Sequence, residues 1–561
     1  MSRHLTALLT TAATFGILVV GGGQANSPHR ATAPSSRPNV VVIETDDQTL
    51  AEMAVLPKTR RLIGGQGVTF DNNFDSFSLC CPSRASLLTG QYSHNNGVRG
   101  NALPYGGYYK LDSTNTLAVW LQRDGYYTTH LGKYLNGYGT RSATEIPPGW
   151  SEWHGSVDPS TYRYYGYKLN ENGTVTTYCA KPQAACYQTD VYRDKADEIV
   201  RRRAPQPQPF FLWVAFLGNH SGGPAEADDP KGLATPVPAP RYKDAFKNTP
   251  LPTPPSFNEA DMSDKPLAMQ KRPLLTQANM NAIRENWQQR RETLLAVDDA
   301  VESIVQTLAQ TGELGNTLIL FTSDNGFFHG EHRVKNGKVL LYEPSIRVPL
   351  LMRWDGHLPR GVHRKQPTMN IDYTATILDA ARVKSGRVMD GMSLLPFARD
   401  GARQPARDLL VDNTPGTGHF DAIRTRHYLY AEHATGEREL YDLARDPYEL
   451  QSRHNDAAYA PIRASLAARL HRLVTCAGRT CRPGLAVRLS LRCGRHVLHV
   501  RVTGTGVRLV TFSKNGRRVK VDARAPFGAT ISWRTKARLR SLVSMKFDRL
   551  GTVDRTVGRC G

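Results

Sequence analysis

Asn39-Val-Val-Val-Ile43-Glu44-Thr45-Asp46-Asp47 is an unbroken apolar run that ends in carboxylates. Apolar side chains at consecutive rather than alternate positions predict a strand covered on both faces, as in the central sheet of an α/β protein. Pro209-Phe-Phe-Leu-Trp-Val-Ala-Phe216 and Thr317-Leu-Ile-Leu-Phe321 repeat the pattern, and both also run into polar residues. Residues 281–310 carry Leu294, Leu295, Val297, Val301, Ile304 and Leu308 as one helical stripe closed by Gly312, which predicts a helix feeding the third strand. Open α/β sheets build their sites at the carboxyl ends of strands, so the polar residues after these three runs become candidates.

At the amino terminus, Met1-Ser-Arg-His4 precedes a mostly apolar run from Leu5 to Val20 and small residues around Gly23 and Ala25. That is the form of an export signal over residues 1–25, with an uncleaved anchor as the alternative reading, followed by a linker over 26–36. No later stretch is long and apolar enough to cross a bilayer, so the mature chain reads as secreted, with no membrane span after signal removal. Eight cysteines suit an oxidising compartment. Cys179 and Cys186 lie close together, as do Cys476 and Cys481, while Cys493 and Cys560 bracket the carboxyl-terminal segment, so three disulfides are plausible with connectivity open. Cys80 and Cys81 are adjacent, and disulfide geometry resists bridging neighbours.

The net charge of +22 is uneven: residues 476–561 hold 20 Lys and Arg against three Asp, a balance of +17 that leaves +5 for everything before them. Alternating runs such as Val497-Leu-His-Val-Arg-Val502, with Lys514-Asn-Gly-Arg517 as a hairpin turn, predict a small β domain here. Its charge suits a polyanionic polymer or an anionic envelope; no nucleic-acid recognition motif accompanies it, and no nucleic acid is expected. The remainder divides into a core over residues 37–367, including proline-rich loops between His220 and about Asn281, and a further α/β portion over 368–475 that contains the helix-like stretch 460–473.

The most specific stretch is Cys80-Cys81-Pro82-Ser83-Arg84-Ala-Ser-Leu-Leu-Thr89-Gly90. With Asp46-Asp47, Asp324-Asn325 and Glu439-Leu-Tyr-Asp-Leu-Ala-Arg-Asp-Pro-Tyr-Glu-Leu450, it resembles the sulfatase family over roughly residues 37–473. The resemblance implies an alkaline-phosphatase-like α/β fold with a mixed central sheet flanked by helices, a smaller α/β portion after it and the basic β domain appended. It implies that Cys80, not Cys81, is converted by a formylglycine-generating enzyme to formylglycine (3-oxoalanine), whose hydrate attacks sulfur and then expels sulfate. It also implies Asp46, Asp47, Asp324 and Asn325 as ligands of Ca2+, with the modified Cys80 completing the sphere; all-oxygen donors suit that hard cation.

Gly125-Tyr-Tyr-Thr-Thr-His-Leu-Gly132-Lys133 resembles a family segment whose lysine binds a sulfate oxygen, His220 matches a position near the leaving group, and Gly337-Lys338 resembles the segment that supplies a second lysine. Arg84 would stabilise the formylglycine hydrate, and either His220 or Lys338 would protonate the departing alkoxide. Many sulfatases carry a histidine where this chain has Leu135; Asn136, His94 and His130 are the candidates for its role. Gly132-Lys-Tyr-Leu-Asn136-Gly-Tyr-Gly139 and Thr293-Leu-Leu-Ala-Val-Asp-Asp299 resemble the N-acetylglucosamine-6-sulfatase branch, which implies a sulfated sugar or glycan as substrate. Two rivals stay open: a phosphonate or phosphate monoester hydrolase of the same fold, and a catalytically silent glycan- or envelope-binding protein.

Overall fold

A computed structural model of the protein describes residues 37–179, 183–482, 487–546 and 548–560. The expected export signal and linker lie outside the described residues. Among the described residues no helix is long and apolar enough to cross a membrane.

The largest sheet is built from β1 (Asn39–Thr45), β2 (Val68–Phe70), β4 (Tyr127–Gly132), β5 (Glu152–Ser156), β6 (Tyr167–Glu171), β7 (Thr174–Tyr178), β8 (Phe210–Ala215), β9 (Thr317–Ser323), β10 (Leu350–Arg353) and β11 (Val362–Arg364). Their order is β11-β2-β10-β9-β1-β8-β4-β5-β6-β7. The centre is parallel: β1 pairs with both β8 and β9, and β4 pairs with β8 and β5. Antiparallel strands flank it, β10 on one side and β6 and β7 on the other, so the sheet is mixed.

The continuous apolar runs have the predicted cause. On β1, Val40 and Val42 enter a core with Phe211, Trp213, Leu318 and Leu320, whereas Val41 and Ile43 enter the opposite core with Leu212, Val214, Ile319 and Phe321. Successive side chains of a strand point to opposite faces, so both faces must be covered. The helix Gln277–Gln310 covers one face through Leu294, Val297, Val301, Ile304 and Leu308. It starts four residues before the predicted position because Thr276 and Asn279 form a reciprocal capping box, and Leu295 of the predicted stripe is only partly buried. The helices Cys80–Thr89 and Ile371–Ala381 lie against the other face.

A short pair, β3 (Asn73–Phe74) with β12 (Thr368–Met369), leads to an antiparallel sheet of β13 (Leu409–Asp412), β14 (Phe420–Arg424), β15 (Tyr428–His433) and β16 (Arg438–Asp442), paired in that sequence. The helix Ala460–Leu473 packs on it through Leu466 and Leu470, where residues 460–473 were expected to be helical.

The basic segment is a two-sheet β sandwich. One sheet holds β17 (Arg488–Gly494), β18 (Val497–Thr503) and β21 (Phe527–Ser532); the other runs β20 (Arg517–Asp522), β19 (Val507–Lys514), β22 (Ala537–Met545), β23 (Leu550–Val557). Leu498, Val500, Val510, Phe512, Trp533, Leu539 and Val543 fill the space between them. Asn515 (φ 49°) and Gly516 (φ 84°) make the left-handed pair that a two-residue hairpin needs at the predicted turn. Cysteines pair as 179–186, 476–481 and 493–560, and Cys80 and Cys81 are free and buried.

Candidate active site

Four adjacent parallel strands, β9, β1, β8 and β4, deliver their following residues to one place. Asp46 and Asp47 follow β1, Lys133 follows β4, His220 comes after β8, and Asp324 with Asn325 follows β9. Cys80 opens the helix Cys80–Thr89, and Arg84 sits one turn further along it. The positive end of that helix favours an electron-rich group at its first residue. Gly90 (φ 66°) ends the helix in the left-handed region, where a Cβ would be strained.

The ligand atoms of Asp46, Asp47, Cys80 and His220 all lie within 4.8 Å of one another, a group that could hold a metal ion. Cys80 Sγ lies 3.0 Å from Lys338 Nζ and 3.7 Å from Asp46 Oδ1. Lys133 Nζ is bonded to Asp46 Oδ2, and Lys338 Nζ to Asp47 Oδ1. Arg84 donates to Asp324 Oδ2 at 2.9 Å and to the Lys133 carbonyl at 2.8 Å, and pairs with Glu44 at 3.1 Å. Asp324 Oδ1 accepts from the Asp47 amide at 3.0 Å, and Asn325 Nδ2 donates to Asp47 Oδ1 at 2.6 Å.

These groups are almost wholly removed from water: Asp46, Asp324, Asn325 and Arg84 are 0 % exposed and Cys80 is 1 %. Burial alone would raise Asp46, but Lys133, His220, Arg84 and Lys338 outweigh it and hold the carboxyl well below its usual range. Asp47 is lowered in the same way, burial being overcome chiefly by Lys338 and His220. Burial pushes the Cys80 thiol up to about 12 despite the two lysines, so an unmodified Cys80 is a thiol and not a thiolate at neutral pH. Burial also pushes His220 down, against the pull of Asp46 and Asp47. Its Nδ1 lies 2.6 Å from the Ser221 carbonyl, which can only accept, so Nδ1 carries the proton and Nε2 faces Asp47 at 3.7 Å.

Three carboxylates and an amide converge here, and Asn325 Oδ1 is buried with no hydrogen-bond partner among the described residues. An orphaned buried oxygen beside carboxylates is what a hard cation would satisfy, so this donor set fits a divalent metal.

Of the proposed stand-ins for the histidine absent at Leu135, Asn136 is the one connected to the cluster. Its Nδ2 donates to the Tyr162 hydroxyl at 2.6 Å; the Tyr162 ring lies 4.9 Å from Lys133 Nζ and 5.0 Å from the His220 ring. His130 is instead walled in by Tyr134, Trp150, Trp153 and Trp213 and is held by the Gly132 carbonyl. His94 stacks on Tyr92 and lies 2.9 Å from the Cys476 carbonyl. Neither histidine makes a hydrogen bond or ring contact with the cluster's side chains, although Arg84, after burial, helps to hold His130 well below its usual range. Glu44, Tyr162 and Arg290 join the site with no motif in the sequence to mark them; Arg290 clamps the loop after β1 by donating to the Asp47 and Asn219 carbonyls and to Glu52.

Residues 38–383 match the family model described as Sulfatase, and residues 330–475 match that of the N-sulphoglucosamine sulphohydrolase C-terminal region. The chain belongs to the sulfatase family. This sulfatase is 37 % identical to human N-acetylglucosamine-6-sulfatase over 412 residues, 71 % of this chain and 70 % of that one. It is 32 % identical to an arylsulfatase of Volvox carteri over 504 residues, 80 % and 76 % of the two chains. A structure solved in complex with its substrate D-glucosamine-2-N,6-O-disulfate superposes with TM-score 0.63 at 25 % identity, over 78 % of this chain and 97 % of that one. The phosphonate monoester hydrolase of Agrobacterium radiobacter shares the fold, with TM-score 0.62 at 23 % identity over 78 % and 95 % of the chains. The sulfatase is thus an enzyme of sulfate-ester hydrolysis with the alkaline-phosphatase-like architecture that its motifs implied.

Proposed function

We propose that this sulfatase is secreted and hydrolyses an O-sulfate ester on a sulfated sugar or glycan, using Cys80 after its conversion to formylglycine. The observation that carries the reading is Cys80 itself. It is a free, buried thiol with no thiolate character, set at a helix start between Lys338 and Asp46, a place that suits a modified nucleophile far better than a cysteine.

One hydroxyl oxygen of the formylglycine hydrate attacks sulfur, and the bond from sulfur to the sugar oxygen breaks. The other hydroxyl then gives its proton to His220, left neutral once it has protonated the alkoxide, sulfate leaves with its electron pair, and the aldehyde is regenerated for rehydration by water. Lys133 and Lys338, both held charged by their carboxylates, bind sulfate oxygens as negative charge spreads in the transition state. Arg84 fixes Asp324 and stabilises the hydrate. His220, whose proton is made easy to release by burial, protonates the departing alkoxide; an anionic ester nearby favours the imidazolium from which it donates. Asp46, Asp47, Asp324 and Asn325 would hold Ca2+, which when bound screens the sulfate charge and acidifies the hydrate. Tyr162, positioned by Asn136, orients Lys133 and His220 where other sulfatases use a histidine.

The relative named N-acetylglucosamine-6-sulfatase favours a 6-O-sulfated glucosamine among candidate substrates. The test is peptide mass spectrometry across residues 78–84 of protein secreted by its own host, followed by turnover of sulfate and phosphate esters of one aryl leaving group. A loss of about 18 Da at Cys80 with preferential sulfate hydrolysis is expected. An unmodified cysteine in well-folded secreted protein would sink this reading in favour of a silent binding protein. Preference for phosphate would instead move the enzyme to the phosphomonoester rival.

A further inference from the structure

The two sheets of the basic domain treat their cations differently. The four-stranded sheet faces the rest of the protein: Arg540 pairs with Asp400 and Asp554, Asp548 accepts from the His427 amide, and Thr552 Oγ1 accepts from the Gln404 amide. The three acids of the domain are all engaged there or at the edge, Asp522 beside Lys520 and Asp554 with Arg538 and Arg540. The strands of the three-stranded sheet contain no acidic residue at all.

On β18, Leu498, Val500 and Val502 point into the sandwich, so His499 and Arg501 point out. The register sets Arg492 opposite His499, and Arg501 opposite both Ser490 and Gly528. Arg488, Arg492 and Arg501 therefore share the outer face; all three are exposed, and none has an ion-pair partner among the described residues. Arg488 and Arg492 are about 13 Å apart along one strand, with Arg501 midway on its neighbour, about 5 Å to the side. Lys514 reaches the far edge of the same sheet, donating to the Ser532 carbonyl at 2.6 Å.

Unpaired guanidinium forks on a flat face bind oxyanions bidentately, and the repeat along the strand suits an extended chain of anionic groups. Nucleic acid would also offer anions, but this face presents Arg, Ser, His, Thr and Gly with no Phe, Tyr or Trp on which a base could stack. We propose that the outer face of β17, β18 and β21 is a binding surface for a sulfated polysaccharide, the polymeric form of the substrate, separate from the catalytic centre. The choice of a sulfated glycan rests on the hydrolase reading above. Holding one part of the polymer on this face raises the effective concentration of its other sulfates at the active site.

The test uses the full-length, formylglycine-containing enzyme on immobilised heparin. A face variant, R488E/R492E/R501E, is compared with R508E/R518E/R555E, which changes charge equally on the other sheet. The face variant is expected to elute at clearly lower salt, with a dependence of log affinity on log salt shallower by about two to three. The control variant should elute close to the wild type. Hydrolysis of a small aryl sulfate should be unchanged in both, while KM for the sulfated polymer rises about tenfold in the face variant alone. R488Q/R492Q/R501Q gives the same direction more weakly and covers a failure of the Glu variant to fold.

Equal losses in the face and control variants would overturn the proposal, leaving only non-specific net charge. Equal competition by heparin and by DNA at matched charge would overturn the glycan assignment. A wild type that hydrolyses no sulfate ester, yet still shows the difference in retention, would count against the hydrolase reading and not against the surface.

Discussion

The sulfatase carries two concentrations of positive charge built on opposite rules. At the ends of the central strands, Lys133, Lys338 and Arg84 are buried and each is matched to a carboxylate. On the outer face of the basic domain, Arg488, Arg492 and Arg501 are exposed and matched to nothing among the described residues. Breaking a buried pair strands a charge away from water, whereas an exposed cation keeps its hydration and is screened by salt. The first arrangement fixes geometry, and the second leaves charge free for something outside the chain.

The contrast can be tested step by step. The largest effect is expected for Arg84→Ala, which leaves Asp324 and Glu44 buried without their partner: a loss of about 3–5 kcal/mol in denaturant unfolding. Lys133→Ala should lower kcat for a small aryl sulfate by about 10²–10³-fold, read in steady-state kinetics on properly modified enzyme. Chelation should cost activity and lower the Tm, and Ca2+ at about a hundred times its Kd should return about 2.7 kcal/mol.

Asp412 is the intermediate case, a buried carboxylate with Arg99 only 3.4 Å away as its cation. Burial pushes it up to about 7 despite Arg99 and Ser93. Because the folded state binds this proton more tightly than the unfolded chain, its contribution is present below the ordinary carboxylate range and is lost as pH rises through about 7. Asp412→Asn should therefore gain on the wild type in Tm as pH rises from about 5 to 8; a constant offset would show that the group does not titrate there. The smallest effect belongs to Arg501→Ala, within about 0.5 kcal/mol of the wild type in stability, and a larger loss would mean that the outer face is not free.

The central sheet was legible because strands covered on both faces must be apolar at every position, and the site lies at their polar ends. Asp46, Asp47, Asp324 and Asn325 become candidates that way, and Cys80 and Arg84 through their local motif. Glu44 follows the apolar run, but no motif singles it out from Asp46 and Asp47; only the fold shows that Arg84 reaches it. Tyr162 sits in a short turn whose sequence carries no periodic signal, and its role arises from contacts with Lys133 and His220 that are distant in sequence. His130 drew attention by residue type alone. Its place two residues before the end of β4, surrounded by Trp and Tyr, makes it a core residue, whereas Lys133 just past that end reaches the cluster.

The depth of Cys80 also sets an order of events. A side chain that is 1 % exposed at the base of a packed helix offers no foothold to a modifying enzyme once the chain has closed around it. If Cys80 is converted to formylglycine as proposed, the conversion must run ahead of folding, on a nascent or still-extended segment. On that reading a molecule that closes first would be sealed in an inactive form, and the fraction of working enzyme in a preparation would record the outcome of that race.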